Sequence, residues 1–151
     1  MPGLIRRLRA KSWGERALLA EALVALGVAS LMLAVIPFRR VMALVRPAAA
    51  RPTAAAEEAR VIALVRAAIM ACARRVPWRA LCLEQALASQ WMLRRRRIAA
   101  TVHYGVGRAD DRLQAHAWVR TSRFDVIGCE NAGEFAELAR FPAAAAKPGR
   151  A

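Results

Sequence analysis

Two residues in this chain have the types and surroundings that nucleophilic chemistry needs. Cys82 lies in "VPWRALCLEQALASQWMLRRRR", just where a helical pattern begins behind Pro77 and Trp78. The first-turn amides of a helix have no intrahelical acceptor, and the macrodipole is positive there. Both effects favour thiolate over thiol, and the same amides can stabilise an oxyanion. Cysteine is also a common small core residue, so the stretch by itself leaves both readings open. His116 lies in "QAHAWV", a strand pattern that puts Gln114, His116 and Trp118 on one face and Ala115, Ala117 and Val119 on the other. The chain has two histidines, so an imidazole base must be His116 or His103. A cysteine opening a helix, followed by a strand histidine, is the order in which an imidazole deprotonates a thiol and later protonates a leaving amine.

The elements that must position this pair read as helices first and strands after. Residues 17–36 are apolar apart from Glu21, and Pro37 ends that helix. The uncharged run from Ala22 to Phe38 is at the lower limit for a membrane span, with Arg6, Arg7, Arg9 and Lys11 before it and Arg39 and Arg40 after it. It is read as a helix packed on the domain or on a partner, with a membrane-associated helix or a cleaved signal as the alternatives. Residues 46–60 form a proline-containing linker with Thr53 as a candidate N-cap. A helix follows from about Ala54 to Arg75, with Val61, Leu64, Val65, Ala68, Ile69 and Cys72 on its inner stripe, and another from about Leu81 to Arg96. Arg94 to Arg97 then complement the helix dipole as a solvated end, or meet an acidic partner.

Strands are expected over residues 98–107, "AHAWVRT" and "FDVIG", with "RADDRLQ" as a polar turn and "ENAGEFAELARF" as a closing helix or turn. The fold class is therefore α+β, N-terminal helices followed by a small antiparallel sheet. The chain divides into an apolar helical segment (1–46), a core (47–142) and a low-complexity, disordered tail (143–151).

Composition bounds the function. Hydrophobic residues make up 58% of 151, enough for a sizeable core. The net charge of +14 allows a nucleic-acid, anionic-membrane or acidic-peptide partner. Nucleic acid is disfavoured, because no RNA-binding aromatic motif, zinc-finger spacing or helix-turn-helix signature is present. Cys72, Cys82 and Cys129 form no disulfide framework and no CxxC pair, which argues against structural zinc and for a reducing cytoplasm.

"PWRALCLEQALASQWMLRRRR" followed by "AHAWVRTSRFDVIG" resembles the leader peptidases of lasso-peptide biosynthesis, the protease part of the B proteins. The apolar segment ending in "IPFRR" is also typical of them, and the likeness spans roughly Trp13 to Phe141. The resemblance implies a transglutaminase/papain-like cysteine-protease core with Cys82 as nucleophile and His116 as base, and cleavage without metal or organic cofactor. It implies as partners a precursor leader peptide, a separate leader-binding protein and an ATP-dependent macrolactam synthetase. The rival functions are another transglutaminase-like acyl transfer or amide hydrolysis, and a non-enzymatic basic membrane-associated adaptor.

The resemblance also asks for a third residue to fix the imidazole tautomer. Relatives often carry aspartate twelve residues past the histidine, where this chain has Gly128. A three-residue turn pairs Arg120 with Phe124, and hence His116 with Gly128. That register sets Glu130 diagonal to His116 on the same face and turns Asp125 away, whereas a shorter turn favours Asp125 and sets Cys129 opposite His116. Glu130, Asp125 and a backbone carbonyl are the three alternatives.

Overall fold

The structure is a computed structural model in which residues 12–142 are described. The basic residues ahead of Ser12 and the tail from residue 143 lie outside the described residues. Helix α1 (Trp13–Val35) opens with a capping box: the Ser12 hydroxyl accepts from the Glu15 amide, and the Glu15 carboxylate accepts from the Ser12 amide at 2.8 Å. Ile36 and Pro37 break the helix, and Pro37 starts the short α2 (Phe38–Ala43). Helix α3 spans Ala55–Ala73 and α4 spans Cys82–Arg95. Thr53 does not cap α3; Ala54 holds that position, and the Thr53 hydroxyl donates to the Arg51 carbonyl instead.

The buried stripe of α3 runs through Glu58, Ile62, Val65, Ala68 and Ile69. Leu64, expected inside, is exposed, because Ile62 occupies the inward position of its turn. On α4, Ala86, Leu87, Gln90, Met92 and Leu93 are almost fully buried. They meet Ala22, Leu26 and Ala29 of α1, all without exposed surface, in one core cluster with Val65 and Ile69 of α3 and Val102, Ala117 and Val119 of the sheet.

The end of α4 is a Schellman motif. Ile98 N–H reaches the Leu93 carbonyl at 3.1 Å, and Arg97 N–H reaches Arg94 at 3.0 Å. Arg97 takes the left-handed conformation (φ 59°). The arginine run is not simply a solvated helix end. Arg96 grips Glu21 of α1 with two hydrogen bonds (3.0 and 2.7 Å), Arg95 stands 3.6 Å from the same carboxylate, and Arg94 donates to the Pro47 carbonyl. The Arg96 hydrogen bonds hold the Glu21 carboxyl below its ordinary range.

The sheet contains β1 (Thr101–Ala109), β2 (Arg112–Arg120), β3 (Asp125–Ile127) and β4 (Ala136–Phe141), in the order β3-β2-β1-β4 with all neighbours antiparallel. The β1–β2 turn is tighter than the expected polar stretch. Only Asp110 and Asp111 lie outside the strands, both at positive φ (48° and 59°), a geometry that suits the twist of a two-residue hairpin. "AELARF" is not part of a closing helix. One 3₁₀ turn (Ala132–Glu134) precedes it, and it then adds to the open edge of β1, where pairing satisfies its backbone groups.

The two faces of α1 predict different responses to truncation. Leu26→Ala should destabilise the protein by about 2–5 kcal/mol in urea unfolding, and Val24→Ala, on the exposed face, by less than about 0.5 kcal/mol.

Candidate active site

Cys82 is the first residue of α4, as the sequence pattern places it. Its N-cap is Leu81, whose side chain has no oxygen, so no side chain caps the first-turn amides of α4. Glu84 reaches back to the Leu81 N–H at 3.1 Å, which fixes the entry of the chain and puts a carboxylate at the positive end of the dipole. Gln85 donates to the Ala80 carbonyl at 2.7 Å and pins the loop that leads to the cysteine. The Trp78 ring in that loop lies against α1 beside Gly27.

Cys82 and His116 line one cleft of about 220 Å³, together with Met70, Gln85, Ala117, Ile127, Gly128 and Glu130. Helix α4 brings the thiol, β2 brings the imidazole, and the end of β3 closes the side. Phe135 packs on the His116 ring at 4.8 Å between centroids, and Trp118 stacks on it at 5.9 Å.

His116 Nε2 lies 2.7 Å from the Gly128 carbonyl oxygen. A carbonyl can only accept, so Nε2 carries the proton and Nδ1 is left as the basic nitrogen. The β2–β3 hairpin does not take the register of the three-residue turn. Arg120 pairs with Asp125 and Val119 with Ile127, with a bulge between the two pairs. That first pairing is the one a shorter turn gives, with Thr121 N–H reaching the Phe124 carbonyl at 2.9 Å, and the bulge then shifts the strand by one residue. Gly128 follows at φ 73°, and a Cβ there would meet the Ala117 carbonyl at 2.7 Å. Glycine alone suits both the backbone and the space.

Neither carboxylate considered from the sequence is bonded to His116. Asp125 is exposed and pairs with Arg120 at 2.8 Å. Glu130 lies at the cleft but is ion-paired with Arg66 of α3. Its own amide and Arg66 hold its carboxyl below the ordinary range, and His116 adds a smaller pull in the same direction. Arg66 also donates to the Val126 carbonyl, so one guanidinium from α3 holds the chain on both sides of Gly128.

The other cysteines point elsewhere. Cys72 Sγ lies 3.5 Å from the Leu19 carbonyl, and Cys129 Sγ 3.2 Å from that of Val119. Burial pushes both thiols above the ordinary range, for Cys129 with help from Asp125. His103 sits outside the cleft, buried, with Nδ1 2.8 Å from Glu137 and its ring stacked on Trp118. Among the described residues no group of three His, Cys, Asp or Glu side chains is placed to hold a metal ion. Sequence reading missed Gln85, Met70 and Arg66, which carry no local signature. It noted Gly128 only as a missing acid, although a glycine between a strand and the following turn does signal a special backbone.

A cysteine opening a core helix and a strand histidine in the same cleft are the residue types that nucleophilic acyl transfer uses. The chain belongs to the transglutaminase-like superfamily, which it matches over residues 22–140, a family of cysteine proteases and acyl transferases. No curated protein and no solved structure matches the chain significantly.

The three thiols should separate by reactivity. At neutral pH iodoacetamide should label Cys82 first, as read by peptide mass mapping. Cys72 and Cys129 should be labelled appreciably only at alkaline pH, because their raised thiols ionise later. Faster labelling of Cys129 than of Cys82 would contradict the site.

Proposed function

We propose that this chain is a cysteine endopeptidase that removes the leader from a ribosomally made lasso-peptide precursor, before macrolactam closure. Family membership supports the cysteine protease or acyltransferase chemistry. The choice of substrate rests on the resemblance of the Cys82 helix and the His116 strand to lasso leader peptidases. The observation that carries the catalytic reading is the bond from His116 Nε2 to the Gly128 carbonyl, which reserves Nδ1 as the base in the cleft that Cys82 lines.

In this mechanism Nδ1 takes the Cys82 proton, and the thiolate attacks the carbonyl carbon of the scissile peptide bond. The uncapped first-turn amides of α4 are the donors for the resulting oxyanion. The C–N bond breaks, the amine leaves with the proton from Nδ1, and the leader remains as a thioester on Cys82. Water then gives a proton to Nδ1 and attacks the thioester. The leader carboxylic acid departs and the thiol regains its proton. The backbone carbonyl of Gly128 takes the orienting role that an acidic side chain fills in relatives. A separate leader-binding protein presents the precursor, and an ATP-dependent macrolactam synthetase closes the freed core peptide. The setting is a reducing cytoplasm, in keeping with three free thiols.

The test is cleavage of a synthetic precursor followed by mass spectrometry. Cys82→Ala should abolish cleavage, and His116→Ala should lower it by several orders of magnitude. Glu130→Gln and Asp125→Asn should each stay within about tenfold of wild type, because the orienting acceptor is a main-chain oxygen that neither substitution removes. A loss of about 10⁴-fold in either acid variant would return the orienting role to that side chain. A product carrying a transferred amine instead of a free carboxylate would identify an acyl transferase.

A further inference from the structure

The outer face of α1 is the largest feature that the cleft does not use. Trp13 (83% exposed), Val24 (65%), Leu31 (64%) and Val35 (68%) lie along it with Ala17, Ala20 and Val28. At 100° per residue these positions fall on one stripe, opposite the buried Ala22, Leu26 and Ala29. The stripe runs roughly 35 Å at 1.5 Å per residue, and its own positions are all apolar, with the Arg16 guanidinium over the Trp13 ring at one end. An apolar surface of that extent marks an interaction site.

We propose that this face docks the protein on an anionic lipid bilayer, with α1 lying in the plane of the interface. Charge selects this occupant. The sequence places Arg6, Arg7, Arg9 and Lys11 before the helix and Arg39 and Arg40 after it, in a chain with 25 basic and 11 acidic residues. Basic residues at both ends of an apolar stripe fit a negatively charged surface. A second copy of the chain fits poorly, because it brings a second charge of +14 against the first.

The depth of insertion follows from the other face. Helix α1 is long and apolar enough to cross a bilayer, yet its inner stripe is fully buried against α3 and α4. Glu21, in the middle of the sequence between the basic flanks, is turned inward onto Arg96. Spanning would strip that core from the protein and break this ion pair, whereas interfacial binding leaves both intact. Removal of α1 as a signal would open the same core.

The experiment is co-sedimentation of the full chain with phosphatidylcholine vesicles, with and without phosphatidylglycerol. Binding should require the anionic lipid and weaken as salt is raised. The double substitution Val24→Glu and Leu31→Glu should weaken it about tenfold or more with an unchanged melting temperature, since both side chains are exposed. No binding to anionic vesicles at low salt overturns the proposal. So does a dimer in sedimentation velocity that the double variant disperses while vesicles bind nothing, which would make the face a contact between copies. Protein that resists salt and carbonate and leaves vesicles only with detergent overturns it as well, because the helix would then insert.

Discussion

The hydrogen bond from His116 to the Gly128 carbonyl is the constraint around which the C-terminal half is built. A main-chain acceptor cannot rotate toward its donor as a carboxylate can, so the whole strand end must be set to aim it. The fold does this with a β-bulge, a left-handed glycine and arginine clamps. Arg66 of α3 grips the chain on either side of Gly128. Arg123, in the β2–β3 turn, ion-pairs with the buried Glu58 and donates to the Thr53 carbonyl at 2.9 Å. Of these groups only Glu58 is buried, and partly exposed ion pairs add little net stability. Their effect here is register, because they fix where β3 ends relative to α3.

Helix α4 links that strand end to the thiol. Its first residue is Cys82, its middle is core, and its last turn meets α1 and the linker through Arg96, Arg94 and the Schellman turn. Gln90 donates to the Arg46 carbonyl at 2.9 Å from inside the helix. The linker is therefore held along α4, and α1 is held by Glu21. A thiol on a helix that is tied at its middle and far end has little freedom to drift from the imidazole.

Helix α1 carries two apolar faces with different partners. The inner one closes the core over α4, and the outer one is free. Such a helix shows no clear amphipathic period, because the stripe facing the protein and the stripe facing away are equally apolar. Its polar residues sort by contact, with Glu21 inward on Arg96 and Arg16 over the Trp13 ring.

The sequence alone determined what local chemistry can encode. Apolar spacing and Pro37 marked the helices, β-branched alternation marked β1 and β2, and the pattern around Cys82 put the thiol at a helix start. The α+β order followed from these, and of the likeness that the motifs carried, the transglutaminase-like superfamily is matched over residues 22–140. What the sequence left open was settled between distant segments. Residues 136–141 are short and mixed, and become a strand only because β1 offers an unpaired edge. The inward side of α1 is chosen by what α3 and α4 present to it. The partner of His116 depends on which turn closes the hairpin and on the bulge after it, and such shifts decide which backbone or side-chain oxygen meets the ring. Glu130 and Asp125 have the right chemistry for that partnership, but tertiary contacts give them to Arg66 and Arg120 and leave the imidazole to a main-chain carbonyl.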